Sequence, residues 1–237
     1  MPRMALRVLC CFSYQTGQSG WTDEHFCVTH FVRALKELPL RGYAYVPVAR
    51  DAPRRRLDQS NATQAVEWFG ILAAEMCGAA GLREPLQFVP VPNSSCIIGT
   101  AASRTKRLAD ALAVRMPNTS VRDAMRFDSA VKSARSEHGL RDAVDVFERL
   151  RLVEQFDPNT PVVLVDDTVA SGGHLAAAKA RVELAGGNVL AAVCAASAFR
   201  CAPSPFNAVE RHIPEFEPPP DLTSARGSID IPMPFRR

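Results

Sequence analysis

Apolar positions fall in two rhythms along this chain. Short runs at 6–12, 43–48, 86–91, 120–125, 161–165 and 188–196 predict strands, bounded by turn-forming or polar residues. Between them, apolar residues spaced three and four apart predict helices over about 23–38, 102–114, 139–148 and 173–184. In the first of these helices Val28, Phe31, Val32 and Leu35 form the buried stripe. A further helix begins after Asn61 and Gln64, with Val66, Phe69, Leu72, Ala73 and Met76 facing inward. Residues 15–20 read as a polar loop and 50–56 as a solvated basic loop. From residue 86 strand and helix alternate, which predicts an α/β architecture: a mainly parallel, doubly wound sheet with helices on both sides. The last part changes character, with Pro203, Pro205, Pro214, Pro218, Pro219, Pro220, Pro232 and Pro234. Proline at that density forbids regular helix and central strand, so an extended arm or partial disorder is expected.

Composition narrows the class. The 237 residues are 47% hydrophobic and 22% charged, enough apolar material for a sizeable core. The net charge of +3 is too small to argue for a nucleic-acid partner by itself. No apolar run reaches the length that spans a membrane, so no membrane partner is expected. The apolar stretch within Met1 to Cys11 is short and lacks a cleavage-like continuation, so it reads as a strand rather than a signal peptide. Seven cysteines, an odd number without a regular framework, suit reduced thiols and a cytoplasmic location. A metal reading would rest on Cys27 and His30 with His25 nearby and the Cys10, Cys11 pair, but residues 25–30 fall within a helical pattern and no Cys-x-x-Cys accompanies them, which disfavours zinc.

The chemistry concentrates in the run Pro161-Val162-Val163-Leu164-Val165-Asp166-Asp167-Thr168-Val169-Ala170-Ser171-Gly172-Gly173-His174-Leu175. Four consecutive apolar residues suit a strand covered on both faces. Two carboxylates then stand at its carboxyl end, where open parallel sheets bind ligands. Ala170 to Gly173 carry little side-chain bulk, so main-chain amides can close on a phosphate at the start of the next helix. Acids for hydroxyls and amides for a phosphate describe a grip on ribose 5-phosphate. The alternative is that Asp166 and Asp167 cap a helix and the glycines make a turn. A P-loop is excluded because no Gly-Lys-Ser/Thr follows, and a G-x-G-x-x-G dinucleotide loop is absent.

This run resembles the phosphoribosyl-pyrophosphate (PRPP) signature of type I phosphoribosyltransferases. The resemblance implies that Asp166 and Asp167 hold the ribose 2- and 3-hydroxyls, directly or through Mg²⁺. It also implies that Thr168, Ala170, Ser171, Gly172, Gly173 and His174 complete the PRPP site around the 5-phosphate. His174 stands where the family usually has Thr or Ser. It further implies a domain division: residues 1–83 as a smaller cap or hood, 84–200 as the PRPP-binding core, and 201–237 as the proline-rich arm. The core's first strand, Val89-Pro90-Val91-Pro92, is similar to that of the competence-protein F branch, without the Arg-Gly-Phe that usually follows. The loop after it would bind pyrophosphate through Asn93, Ser94, Ser95 and Arg104. Residues 126–140 lie where the family has a mobile loop, so Lys132 and Arg135 are the candidates to reach pyrophosphate and serve catalysis beside Asp166 and Asp167.

The reaction so implied is Mg²⁺-dependent transfer of ribose 5-phosphate from PRPP to a nitrogen nucleophile, with a nucleobase as the acceptor and a homodimer as the common assembly. Ala170 stands where 6-oxopurine enzymes often carry an acid, which argues against hypoxanthine or guanine. Two other classes stay open: a PRPP-sensing regulator without catalysis, and a ribosyl-phosphate hydrolase or phosphorylase using the same grip.

Overall fold

The computed structural model describes residues 5–17, 20–83, 85–100, 103–129, 142–202 and 204–224. In chain order the elements are β1 (Leu6–Gln15), α1 (Asp23–Leu35), β2 (Tyr43–Val46), β3 (Arg55–Asp58), a single 3₁₀ turn (Gln59–Asn61) and α2 (Gln64–Ala79). Then come β4 (Leu86–Pro90), α3 (Arg104–Ala113), β5 (Thr119–Val121), β6 (Met125–Phe127), α4 (Ala143–Arg149) and β7 (Leu150–Leu152). The chain closes with β8 (Val162–Val169), α5 (Gly173–Leu184), β9 (Val189–Phe199), β10 (Val209–Ile213) and the short α6 (Pro220–Ser224).

Six strands form one sheet in the order β10-β1-β9-β8-β4-β5, parallel throughout except for β10, which runs antiparallel along β1. Alternation along β8 divides the core. Val163 and Val165 join one apolar cluster with α1, α2 and α3, while Val162 and Leu164 join the other with α4 and α5. A three-layer α/β sandwich results, as the alternating elements predict.

Several expectations need correction. β1 sits inside the sheet between β9 and β10. Its side chains are buried along nearly its whole length, and a strand covered on both faces needs neighbours at its edges as well. The helices α1 and α2 cover one face of that sheet, and the β2–β3 hairpin packs on α1. Part of the basic stretch is ordered too: Leu57, fully buried, draws Arg55 and Arg56 into β3 opposite β2. The strand expected at 120–125 divides into β5 and β6, because Asp123 turns inward and its Oδ2 lies 2.7 Å from Arg126 Nη2. In the proline-rich part, β10 takes an edge position, where proline nearby does no harm to a central ladder. None of the seven cysteines forms a disulfide. No helix among the described residues is long and apolar enough to cross a membrane.

Candidate functional site

The sheet order fixes where a ligand fits. From β4 the chain steps outward to β5, then returns past β4 to place β8 on its other side. Strand order therefore reverses between β4 and β8, and such switch points leave a crevice beyond the strands' carboxyl ends. The two loops that border it are 91–100, after β4, and 170–172, after β8. They are the two that the sequence singles out for pyrophosphate and for the 5-phosphate.

Adjacent residues on a strand point to opposite faces, so Asp166 and Asp167 meet different neighbours. Asp166 follows the register of Val162 and Leu164 and pairs across β9 with Cys194, which in turn pairs with Cys10 on β1. It remains partly open to solvent, and its Oδ1 accepts the amide of Asp167 at 2.7 Å. Burial against this apolar row, and then the charge of Asp167, push its carboxyl up to about 8. Asp167 takes the opposite face and is buried. Its Oδ1 lies 2.9 Å from Lys36 Nζ and its Oδ2 accepts Arg104 Nη2 at 2.7 Å, with the three side chains 7%, 15% and 25% exposed respectively. Thr168 Oγ1 also donates to Asp167 Oδ1 at 2.7 Å and accepts Lys36 Nζ at 2.6 Å. Burial alone would raise this carboxyl, but Lys36 and Arg104 outweigh it and hold it below the ordinary range.

The phosphate loop is built as its composition suggests. Gly172 has φ +91° and ψ −2°, a left-handed turn that caps α5, and its carbonyl accepts Ala176 N–H at 2.9 Å. The opening amides of such a helix have no intrahelical acceptor; that of Gly173 has only a 3.5 Å contact with Ser171 Oγ. Ala170 and Ser171 are exposed, and the half-buried His174 ring meets Phe127 edge-on at 6.3 Å. Two residues of β10 brace the loop from beneath: Arg211 Nη1 donates to Ala170 O at 2.9 Å, and Ile213 packs where a Gly172 side chain would be.

On the other side of the crevice, Asn93 Nδ2 donates to Ser95 Oγ at 2.6 Å and Asn93 Oδ1 accepts the amide of Arg104 at 3.3 Å. Ser94 lies in the same loop, partly exposed. The loop is tied to β6 through Phe127 N–H to Cys96 O and Ile98 N–H to Phe127 O, both 2.9 Å. Arg104 thus joins Asn93 to Asp167 and links the two strand ends. Lys132 and Arg135 lie outside the described residues.

Lys36, Arg211 and Ile213 carry no local signal in the sequence. Lys36 follows an amphipathic helix as one charge in a polar stretch, and the β10 pair sits in a short, polar, proline-flanked segment. All three matter only through contacts made across long stretches of chain.

The metal reading divides in the same way. Mg²⁺ sites commonly use one or two carboxylates and complete the shell with water and substrate phosphates. Asp166 fits that requirement. Asp167 does not in this arrangement, since both of its oxygens already face cations. At the other sequence candidates, His25 Nδ1 accepts Thr22 N–H at 3.0 Å and the His30 nitrogens lie near the carbonyls of Phe26 and Arg41. Among the described residues no three His, Cys, Asp or Glu side chains gather as a metal site.

No family model matches the chain, and a search of curated proteins returns no match. Among solved structures it is similar to adenine phosphoribosyltransferase from Saccharomyces cerevisiae, at 14% identity and a TM-score of 0.38 over 71% of this chain and 89% of that one. It is also similar to adenine phosphoribosyltransferase from Trypanosoma brucei, at 13% identity and a TM-score of 0.37 over 70% and 79%. For orotate phosphoribosyltransferase from Mycobacterium tuberculosis the values are 16% and 0.33, over 74% and 97%. Likeness at this level carries no residue-by-residue correspondence.

Proposed function

We propose that this chain is a phosphoribosyltransferase that moves ribose 5-phosphate from PRPP to a nitrogen nucleophile, a nucleobase, with release of pyrophosphate. One observation carries the reading: Asp166 and Asp167 follow Val165, the last β8 residue paired with β4, at the sheet's switch point, a few residues before the left-handed Gly172 and the amides that open α5. Carboxylates suited to ribose hydroxyls and donors suited to its phosphate then stand at either end of one sugar.

Chemically, the bond from C1 to the diphosphate oxygen breaks as the bond from nitrogen to C1 forms. The proton on the attacking nitrogen passes to solvent. Positive charge grows on the ring during this exchange, so fixed contacts at both ends of the sugar lower the barrier mainly by orientation. The α5 amides would hold the 5-phosphate, Asp166 the ribose hydroxyls, and Asn93, Ser94, Ser95 and Arg104 the departing diphosphate. Mg²⁺, held by Asp166 with ligand oxygens, would neutralise charge on that leaving group. Lys132 and Arg135 are proposed to close over it, excluding water.

The test is incubation with Mg²⁺, PRPP and a panel of nucleobases, following both pyrophosphate and nucleotide. Pyrophosphate with an equal amount of new nucleotide is the expected result. Pyrophosphate with ribose 5-phosphate and no nucleotide would make the chain a hydrolase, and PRPP binding without turnover would make it a sensor. No PRPP binding at all would overturn the reading of the site itself.

A further inference from the structure

Asp167 presents a contradiction within the site. A carboxylate meant for ribose hydroxyls has one oxygen on Lys36 and Thr168 and the other on Arg104. Three donors already hold it, and only Oδ2 keeps room for one more, too little to grip two ribose hydroxyls. The cations, by contrast, are in excess: two positive side chains share a single carboxylate. Arg104 Nε is buried without a hydrogen-bond partner, and Arg104 Nη1 reaches only the Lys36 carbonyl at 3.5 Å. Buried donors that outnumber their acceptors call for a further anion with several oxygens.

We propose that Lys36 is a diphosphate-binding residue of this site, and that Asp167 occupies the place of the ligand's anion until the ligand arrives. The inference rests on the phosphoribosyltransferase reading and adds to it a residue from α1's end. Binding is then an exchange. The diphosphate takes Lys36 Nζ and Arg104, satisfies the idle Arg104 Nε–H, and releases Asp167 to accept the ribose hydroxyls with Asp166. The two halves of the ligand become coupled: ribose is gripped by both acids only after a diphosphate has drawn the cations away. Ribose 5-phosphate, which has no diphosphate, meets Asp167 still engaged. Inorganic pyrophosphate can take the cations by itself.

Calorimetric titration with three probes tests this: PRPP, inorganic pyrophosphate and ribose 5-phosphate, against the wild type, Lys36→Met and Lys36→Arg. Loss of one charge-assisted contact weakens PRPP and pyrophosphate binding by about 10- to 100-fold in Lys36→Met. Ribose 5-phosphate binding holds or tightens in the same variant, because Asp167 has lost one competitor. Lys36→Arg keeps the charge and retains most of the pyrophosphate affinity. A structural role for Lys36 would weaken all three ligands together, and that result overturns the inference, as does unchanged pyrophosphate binding in Lys36→Met. A wild type that binds pyrophosphate but neither sugar phosphate refutes the proposed function while leaving Lys36 as an anion ligand. A wild type that binds none of the three refutes both.

Discussion

Replacing Gly172 with alanine gives the sharpest test of the phosphate loop. At φ +91° a side chain meets its own backbone, which costs about 1–2 kcal/mol for an L-residue. The added Cβ would also lie 2.5 Å from Ile213 Cδ1 and 2.8 Å from its Cγ1, well inside contact distance. Overpacking of this kind costs about 1–3 kcal/mol, at the low end here because an isoleucine tip can rotate away. Gly172→Ala is therefore expected to lose about 2–4 kcal/mol in urea unfolding followed by circular dichroism. The two contributions can be separated. Ile213→Val removes the nearest clashing atom, Cδ1, at an expected cost of about 0.5–1.5 kcal/mol, and in that background the alanine should cost about 1 kcal/mol less than in the wild type. If Gly172→Ala unfolds within about 0.5 kcal/mol of the wild type, residue 172 does not hold a left-handed turn. The amides after it would then not be set for an anion.

The acid pair should respond asymmetrically to substitution. Asp167→Asn strands two partly buried cations and is expected to cost about 3–5 kcal/mol in urea unfolding, whereas Asp166→Asn should cost nothing at neutral pH, where burial already disfavours the charge it removes, while abolishing PRPP binding by calorimetry; equal costs would refute the division of faces. The pH dependence follows from the raised carboxyl of Asp166. Folding holds its proton more tightly than the unfolded chain, whose aspartates titrate near about 3.9. The stability it contributes is thus full below that pH and lost as pH rises toward about 8. Unfolding free energies of metal-free protein between these limits should fall with pH more steeply in the wild type than in Asp166→Asn, and parallel curves would refute the shift. At α3, Ser103 Oγ accepts Lys106 N–H at 3.2 Å and lies 2.7 Å from Thr105 Oγ1. Ser103→Ala should cost about 0.5–2 kcal/mol, checked by thermal melting, and should weaken pyrophosphate binding by loosening Arg104 at the same helix start.

What was legible in the sequence is what is local. Val162 to Gly173 announces a strand, two acids and a small-residue turn, because each of those needs only its own neighbours to be read. The alternation of strands and helices likewise gives the layers. The division of labour between Asp166 and Asp167 follows from the pleat, yet its outcome depends on Lys36 and Arg104, which arrive from α1's end and α3. The burial that makes β1 a core strand was visible in its apolar run, but its neighbours were not. β10 reads Val-Glu-Arg-His-Ile, too short and polar to announce a strand, and only pairing with β1 makes it one.

The position of β1 has a bearing on how the chain reaches this state. Val8 finds its partners at Ala192 on one side and Arg211 on the other, so β1 waits for segments far along the chain before either edge is paired. Until then an apolar ribbon stands open to any extended segment, including its counterpart on another nascent molecule. Removing β10 would leave one of those edges bare for good, which makes that strand a guardian against self-association as well as a brace.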